Sequence, residues 1–542
     1  MNALLGRLDL ERGGRPFFWV DFRRQPPEAS HSYWDYCDIA GRFVDGLALG
    51  RILTGRRDAP EAEALLRRFL WAQQDPGDGL FYNPEPGAPD AEASKYEPDL
   101  GDRAGQRHVD LFCQRAPLLA LTTLLALGDQ DARPRLERMA RGLRSIAEPD
   151  GDGLRFSTYR WARRLRPEWA ASPNVPERWL GYRYALLTGL ARYAQLSGDP
   201  AAAGLAAGLA RWYMRHGDVP PDGRFKGNTH SGGILPTTVG IARLGAWLGD
   251  AGMLEWAHRV YRWVREQTPD FGFLRDGLGL DGFFAGTCET CGLADLLHLA
   301  LLLTEAGAGD YRDDIERYAR NQLIENQYAD ADALRRAFPG LAPDVLGMLH
   351  GGFECAARPN ALLAFDGAEG CCIGGGLRAL YLAWRASISE SGGETRVELG
   401  FTRSTPRVEV VGREPWEGRI DVRLRAPGRL RIRLPEGVGL AQARARLDGR
   451  DIQPAWSGRY TDFGDLRPGQ SASLAYPLRE RAAAYAIDGA EYQAYWRGGT
   501  LVELNPPGER YPIYQRRGLL AAPPGEWAAY PIAEGGDYPV IW

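Results

Sequence analysis

From about residue 31 to 385 the apolar positions recur with the spacing of amphipathic helices. Ile39, Phe43, Leu47 and Ile52 make one stripe. Further runs span 65–71, 118–127, 179–196, 205–213, 241–248, 253–264 and 315–324. A degenerate repeat links them: helical run, Asp/Pro/Gly turn, aromatic. It reads Asp75-Pro76-Gly77-Asp78-Gly79-Leu80-Phe81, then Pro149-Asp150-Gly151-Asp152-Gly153-Leu154-Arg155-Phe156, Pro221-Asp222-Gly223-Arg224-Phe225 and Pro269-Asp270-Phe271-Gly272-Phe273. Proline presets φ, aspartate bonds its own backbone and glycine takes the left-handed position. The steps from Gly79 to Gly153, Gly223 and Gly272 each leave room for one or two helical hairpins. Repeated hairpins with elaborate loops at one end predict a closed (α/α)6 barrel at roughly 30 residues per helix and loop. An open solenoid is the alternative, but its repeats are more regular and its loops shorter.

Beyond about residue 390 the period changes to two. Thr395–Leu399, Arg407–Val411, Ile420–Leu424 and Leu430–Leu434 alternate apolar and charged residues between Gly/Pro turns. This predicts an antiparallel β-sandwich with one wet face per sheet, joined by a late strand at Gly499–Leu504. The expected organisation is an irregular arm over 1–30, a mainly α barrel over 31–388, the β-sandwich over 389–515 and a Pro-, Trp- and Tyr-rich arm over 516–542.

A chain of 542 residues can bury a large core, and its net charge of −4 advertises no phosphate-binding surface, so nucleic acid is not an expected partner. No apolar run is long enough to span a membrane. The N-terminus becomes acidic too early for a signal peptide. Seven cysteines, some adjacent, argue against a disulfide framework and for a reduced, cytoplasmic protein.

The cysteines carry the candidate chemistry. Glu369-Gly370-Cys371-Cys372-Ile373-Gly374-Gly375-Gly376 leads into Leu377, Leu380, Tyr381 and Trp384 at helical spacing, so the pair stands at a helix mouth. Unpaired N–H groups and the positive dipole end favour a thiolate there. Taken alone, the pair reads equally well as two inert buried thiols. It has a counterpart, Gly286-Thr287-Cys288-Glu289-Thr290-Cys291-Gly292, which also opens an apolar helix. Thiolates with a carboxylate suit tetrahedral zinc. The spacing is not that of a zinc ribbon, and a Glu among soft ligands hints at catalysis rather than a staple.

These motifs, with a toroid followed by a β-sandwich, resemble glycoside hydrolase family 127, the β-L-arabinofuranosidase family. The stretch from Ala306 through Leu323 and Arg413-Glu414-Pro415-Trp416-Glu417-Gly418 match its style, and the likeness runs from about 35 to 515. The resemblance implies a zinc ion held by Glu289, Cys291 and Cys372, with Cys371 as nucleophile at or on the metal. A thiol can replace the usual carboxylate nucleophile of a retaining glycosidase if it is ionised and held in place. His230, in Asn228-Thr229-His230-Ser231-Gly232-Gly233, is similar to a sugar-binding histidine of the family, or else caps the next helix. His108 is a second substrate-binding candidate, though a packing role suits it too. Tyr82, Tyr159 and Trp161 are candidates for stacking on a sugar, or core residues. One departure stands out. The family's general acid is a Glu about sixteen residues before Glu-x-Cys, and the stretch 272–281 holds none. Asp276 is the best stand-in, with Asp270 and Asp281 as rivals.

The expected function is a zinc-dependent retaining exo-glycosidase acting on a small glycan or glycoconjugate, as a possible homodimer. β-L-Arabinofuranosides are the lead substrates and a related deoxy or acidic sugar comes next. The alternatives are a carboxylate-based hydrolase or polysaccharide lyase on the same fold, and a non-enzymatic carbohydrate-binding protein with structural zinc.

Overall fold

The computed structural model describes residues 1–83, 108–157, 160–161, 180–219, 222–225, 230–278, 286–364 and 366–521. A helical region is followed by a sheet-rich one. The helices that organise it are α1 (Asn2–Gly6), α2 (Asp38–Thr54), α3 (Pro60–Trp71), α4 (Arg115–Ala126), α5 (Ala132–Ile146), α6 (Leu187–Ser197), α7 (Pro200–His216), α8 (Ser231–Leu248), α9 (Ala251–Gln267), α10 (Thr290–Glu305), α11 (Arg312–Tyr318) and α12 (Cys371–Ala386). Six of them close a circle of contacts: α2 on α4, α4 on α6, α6 on α8, α8 on α10, α10 on α12, and α12 back on α2. Outside them α3 packs on α2, α5 on α4, α7 on α6, α9 on α8 and α11 on α10.

Burial separates the two layers. Along α10 every residue from Thr290 to Thr304 is buried, and α2 is buried from Asp38 to Gly50. A helix apolar all round belongs inside. The outer α5 buries only one face, through Leu136, Met139, Ala140 and Leu143. Glycine lets the inner helices close up. A Cβ on Gly41 would lie 2.6 Å from the Ala116 backbone, one on Gly189 2.6 Å from Leu118, one on Gly240 2.5 Å from the Leu187 backbone and one on Gly374 2.6 Å from the Arg42 backbone. The repeat turns follow the expected chemistry. Gly79, Gly151, Gly223 and Gly272 have φ of 78°, 60°, 84° and 92°. The Asp75 carboxylate accepts from the Gly77 N–H at 2.7 Å. In the second turn Gly151, not Gly153, is left-handed.

The first thirty residues are not the irregular arm expected. Helix α1 buries Ala3 and Leu4, and β1 (Trp19–Asp21) pairs with β2 (Glu28–Ser30) and with β3 (Gly367–Glu369). Trp19 faces Glu369, so this segment braces the backbone that enters Cys371. The elements are too short to show a period in sequence.

The sheet region holds two main sheets. Its strands are β4 (Ile388–Ser391), β5 (Glu394–Val397), β6 (Arg403–Ser404), β7 (Val408–Gly412), β8 (Arg419–Leu424), β9 (Gly428–Arg433), β10 (Arg444–Leu447), β11 (Arg450–Ile452), β12 (Ala455–Ser457), β13 (Tyr460–Leu466) and β14 (Ser471–Ala475). One sheet runs β4-β5-β9-β13-β12 and the other β6-β7-β8-β14-β10-β11. Only β5 and β9 pair in parallel among these. Their inner faces share one apolar cluster, including Val397, Val422, Ile432 and Leu474. The late strand, expected in this sandwich, belongs elsewhere. It is β17 (Thr500–Asn505) of a separate sheet with β15 (Glu480–Ile487) and β16 (Ala490–Arg497), and Trp496, Leu501 and Leu504 join the core of the helical region. Of the expected C-terminal arm, a 3-10 turn at Arg517–Ala521 is described. Charged contacts tie the two regions: Arg312 with Glu398 at 2.8 Å, Arg433 with Asp313, and the Gly400 N–H on Glu316 at 2.9 Å.

Candidate metal and thiol site

The inner helices bring their N-termini to one end of the ring, and the site lies there. Cys371 and Cys372 are the first two residues of α12, Glu289 caps α10 and His230 caps α8. Neither Glu289 nor His230 spends its side chain on the cap. The glycine run after the cysteines has a steric reason: a Cβ on Gly375 would lie 3.0 Å from Cys291 Sγ.

Glu289, Cys291, Cys371 and Cys372 converge, with one donor atom of each within 4.8 Å of the others, and all four are buried. Cys291 Sγ lies 3.2 Å from Cys372 Sγ, Cys371 Sγ 3.8 Å from Cys372 Sγ, and Cys372 Sγ 3.7 Å from Glu289 Oε1. A tetrahedron with metal–sulfur bonds of about 2.3 Å and metal–oxygen bonds of about 2.0 Å has edges of about 3.5–3.8 Å. The donor chemistry and the spacing therefore fit one metal ion. Cys288 is not part of the set. Its backbone bridges Ala357, and burial pushes its thiol up to about 12.

Two partners had no motif to announce them. Cys355 Sγ lies 3.3 Å from Glu369 Oε2, and Cys371 Sγ lies 3.6 Å from the same oxygen. Arg42, paired with Asp38 at 2.9 Å, donates to Cys291 Sγ at 3.3 Å. The Cys371 thiol is held well below its ordinary pKa by hydrogen bonds from Cys291, Cys355 and Cys372, which outweigh its burial. Burial raises Cys372 and Glu369, and lifts Glu289 to about 7. Cys371 is 8 % exposed, against 2 % or less for Cys291, Cys355 and Cys372, so it is the thiol a ligand can reach.

His230 Nε2 lies 3.1 Å from Glu289 Oε2 and 3.8 Å from Asp276 Oδ2. Burial alone would lower its pKa, but the Asp276 and Glu289 carboxylates raise it on balance. Asp276 is buried and accepts from Ser231 N–H and Oγ, each at 2.9 Å, through Oδ1. Its Oδ2 has no hydrogen-bond partner among the described residues. The Tyr182 ring stands 5.5 Å from His230.

The other sequence candidates have different surroundings. Asp270 is tied to strand β15 by Arg481 at 2.6 Å and by the Tyr485 hydroxyl. Asp281 and Tyr159 lie outside the described residues, as does the side chain of Trp161. His108 is buried, with Nε2 2.8 Å from the Tyr33 hydroxyl and its ring stacked on Tyr33. Tyr82 is buried and donates to Asp78 at 2.6 Å, a turn contact.

No family model matches the sequence, and no curated protein does. Solved structures share the fold. A GH127 β-L-arabinofuranosidase from Geobacillus stearothermophilus T6 superposes with a TM-score of 0.58 at 14 % identity, over 92 % of this chain and 80 % of that one. A second GH127 β-arabinofuranosidase gives 0.60 at 13 %, over 87 % and 76 %. A sugar epimerase from a ruminal bacterium gives 0.50 at 13 %, over 70 % of this chain and 94 % of its own. At these identities the likeness is one of fold.

Proposed function

We propose that the chain is a zinc-dependent retaining exo-glycosidase on an (α/α)6 toroid with a β-sandwich. Cys371 is its nucleophile, and β-L-arabinofuranosides are the lead substrates, with a related deoxy or acidic sugar next. The observation that carries this is the convergence of Glu289, Cys291, Cys371 and Cys372 at the mouths of two inner helices. The fold shared with GH127 structures adds to it.

Glu289, Cys291 and Cys372, with Cys371, would hold the zinc. A zinc bound there supplies Lewis acidity that favours ionised thiols and makes a sulfur a better leaving group. The chain's own groups do the rest. Cys371 Sγ attacks the anomeric carbon as the bond to the leaving oxygen breaks. Asp276, whose Oδ2 is unengaged, gives that oxygen its proton, with His230 beside it. In the second half water attacks the same carbon, Asp276 recovers a proton, and the Cys371 thiolate departs. Two inversions retain the configuration.

A second reading has its own support: four protein donors and full burial are what a structural zinc site looks like. The test is metal content of the reduced protein, wild type and Cys371→Ser and Cys372→Ser, alongside turnover of aryl β-L-arabinofuranosides. One zinc per chain, weakened in Cys372→Ser, with turnover abolished in Cys371→Ser, is the expected result. Full turnover in Cys371→Ser sinks the thiolate mechanism. Zinc with a stable fold but no turnover on any glycoside favours the structural reading.

A further inference from the structure

Deeper in the ring, away from the thiols, charged side chains from all six inner helices meet. Arg115 of α4 pairs with Asp295 of α10 at 2.6 Å, and Arg378 of α12 pairs with Asp45 of α2. Two guanidiniums remain. Arg192 of α6 and Arg243 of α8 are each 2 % exposed, and neither forms an ion pair among the described residues. Among the described residues Arg192 donates only to hydroxyls, Thr122 at 3.3 Å and Thr123 at 2.9 Å. Its Nε and Nη2 are buried without a partner, and so is Arg243 Nε. Arg243 meets the Gln195 carbonyl oxygen at 2.9 Å and His298 Nε2 at 3.1 Å. That contact makes His298 an acceptor, hence neutral, in keeping with the neighbouring arginines that add to its burial in lowering its pKa.

The contrast with other buried arginines is specific. Arg7 also lacks a carboxylate, but it spreads its donors over three backbone carbonyls, and Arg403 directs one Nη1 at three. Among the described residues Arg192 meets no carbonyl and no carboxylate. The next acid, Glu305 at the end of α10, is exposed and forms no ion pair with either guanidinium among the described residues. Arg192, Arg243 and Arg378 repel one another. Unpaired buried charges are strongly unfavourable unless a counter-charge and hydrogen bonds meet them.

We propose that the ring interior contains a built site for one small monovalent anion of the halide class, held between Arg192 and Arg243. The unpartnered Arg192 Nε and Nη2 and Arg243 Nε are its donors. A halide accepts from any direction, so it needs no donor of its own from the wall, and its negative charge offsets part of the two unpaired guanidiniums. The anion stabilises the ring and takes no part in the chemistry at Cys371, so the inference does not rest on the proposed function.

The test uses the full-length protein. Tm is measured in sodium chloride, sodium bromide and sodium gluconate at equal ionic strength, and crystals grown in bromide are examined at the bromine edge. Tm should rise with the logarithm of halide concentration but not with gluconate. Bromide should appear between Arg192 and Arg243. The halide response should be lost in Arg192→Met and in Arg243→Met. Equal Tm in all three salts overturns the proposal, as does a ring interior without bromide. A bromide peak with no halide effect on Tm marks an adventitious ion only and also overturns it. If neither variant folds, the wild-type salt series and the bromide peak decide alone.

Discussion

The sandwich and the ring bury different things. Between the two main sheets lie Val397, Val422, Ile432, Leu474 and other apolar side chains, while arginines such as Arg429 and Arg446 stay outside, facing Asp462 and Asp451. The ring places Arg42 with Asp38, Arg115 with Asp295 and Arg378 with Asp45 in its interior, each pair nearly sealed from solvent. A buried ion pair is weak support for stability, because desolvation offsets most of the Coulomb attraction. The ring's charged interior is therefore better understood as a support for the site above it. Arg42 belongs to both, paired with Asp38 and donating to Cys291.

The comparison can be broken at several points. The largest effect belongs to chemistry. Cys371→Ser should lower turnover by about 10³-fold or more, while Ile432→Val in the sandwich leaves kcat unchanged. Comparable losses from both would mean that the sandwich shapes the active site. Next comes stability in denaturant. Asp45→Ala strands Arg378 and should cost about 3–5 kcal/mol, whereas Ile432→Val should cost about 0.5–1.5 kcal/mol. A small loss at Asp45 would show that the interior is wet.

The third effect is a pH slope. Glu354, behind Cys371 and bonded to the Tyr328 hydroxyl, is lifted by burial from an ordinary 4.5 to about 8. The folded state then keeps a proton that the unfolded chain releases above pH 4.5. Its contribution to stability should fall as pH rises from 4.5 to about 8, at up to about 1.4 kcal/mol per pH unit, and level off above. Glu354→Gln should remove that slope; an unchanged slope would mean that another group carries it. The smallest effect is on the sandwich surface, where Arg446→Ala should change stability by about 0–1 kcal/mol, less at high salt.

What could be read from the sequence follows from range. The helices were legible from Ile39, Phe43 and Leu47 onward because the period is local. The two cysteine motifs were legible because each is contiguous and opens a helix. Cys355 was not, since the contact that joins it to Glu369 needs a loop and a strand to meet, and Arg42 reaches Cys291 across 249 positions. The alternation in Thr500–Leu504 reveals a strand with one covered face but not what covers it, and the helical core does so. Asp270 and Asp276 look alike in sequence. Only the structure separates their surroundings, Arg481 and Tyr485 for Asp270 and Ser231 for Asp276.

Closure of the ring also sets the order of events at the ribosome. Helix α2 emerges early, yet its seam with α12 joins Asp45 to Arg378, 333 positions later. At about 5–20 residues per second, that partner arrives about 20–70 s after α2. During this interval the apolar flank of α2 and the unpaired Asp45 stay open, and the nascent half-ring presents the surface that chaperones bind. Long-range closure of this kind also slows refolding. Yield on expression should therefore respond to translation speed and chaperone supply more than to the stability of the finished fold.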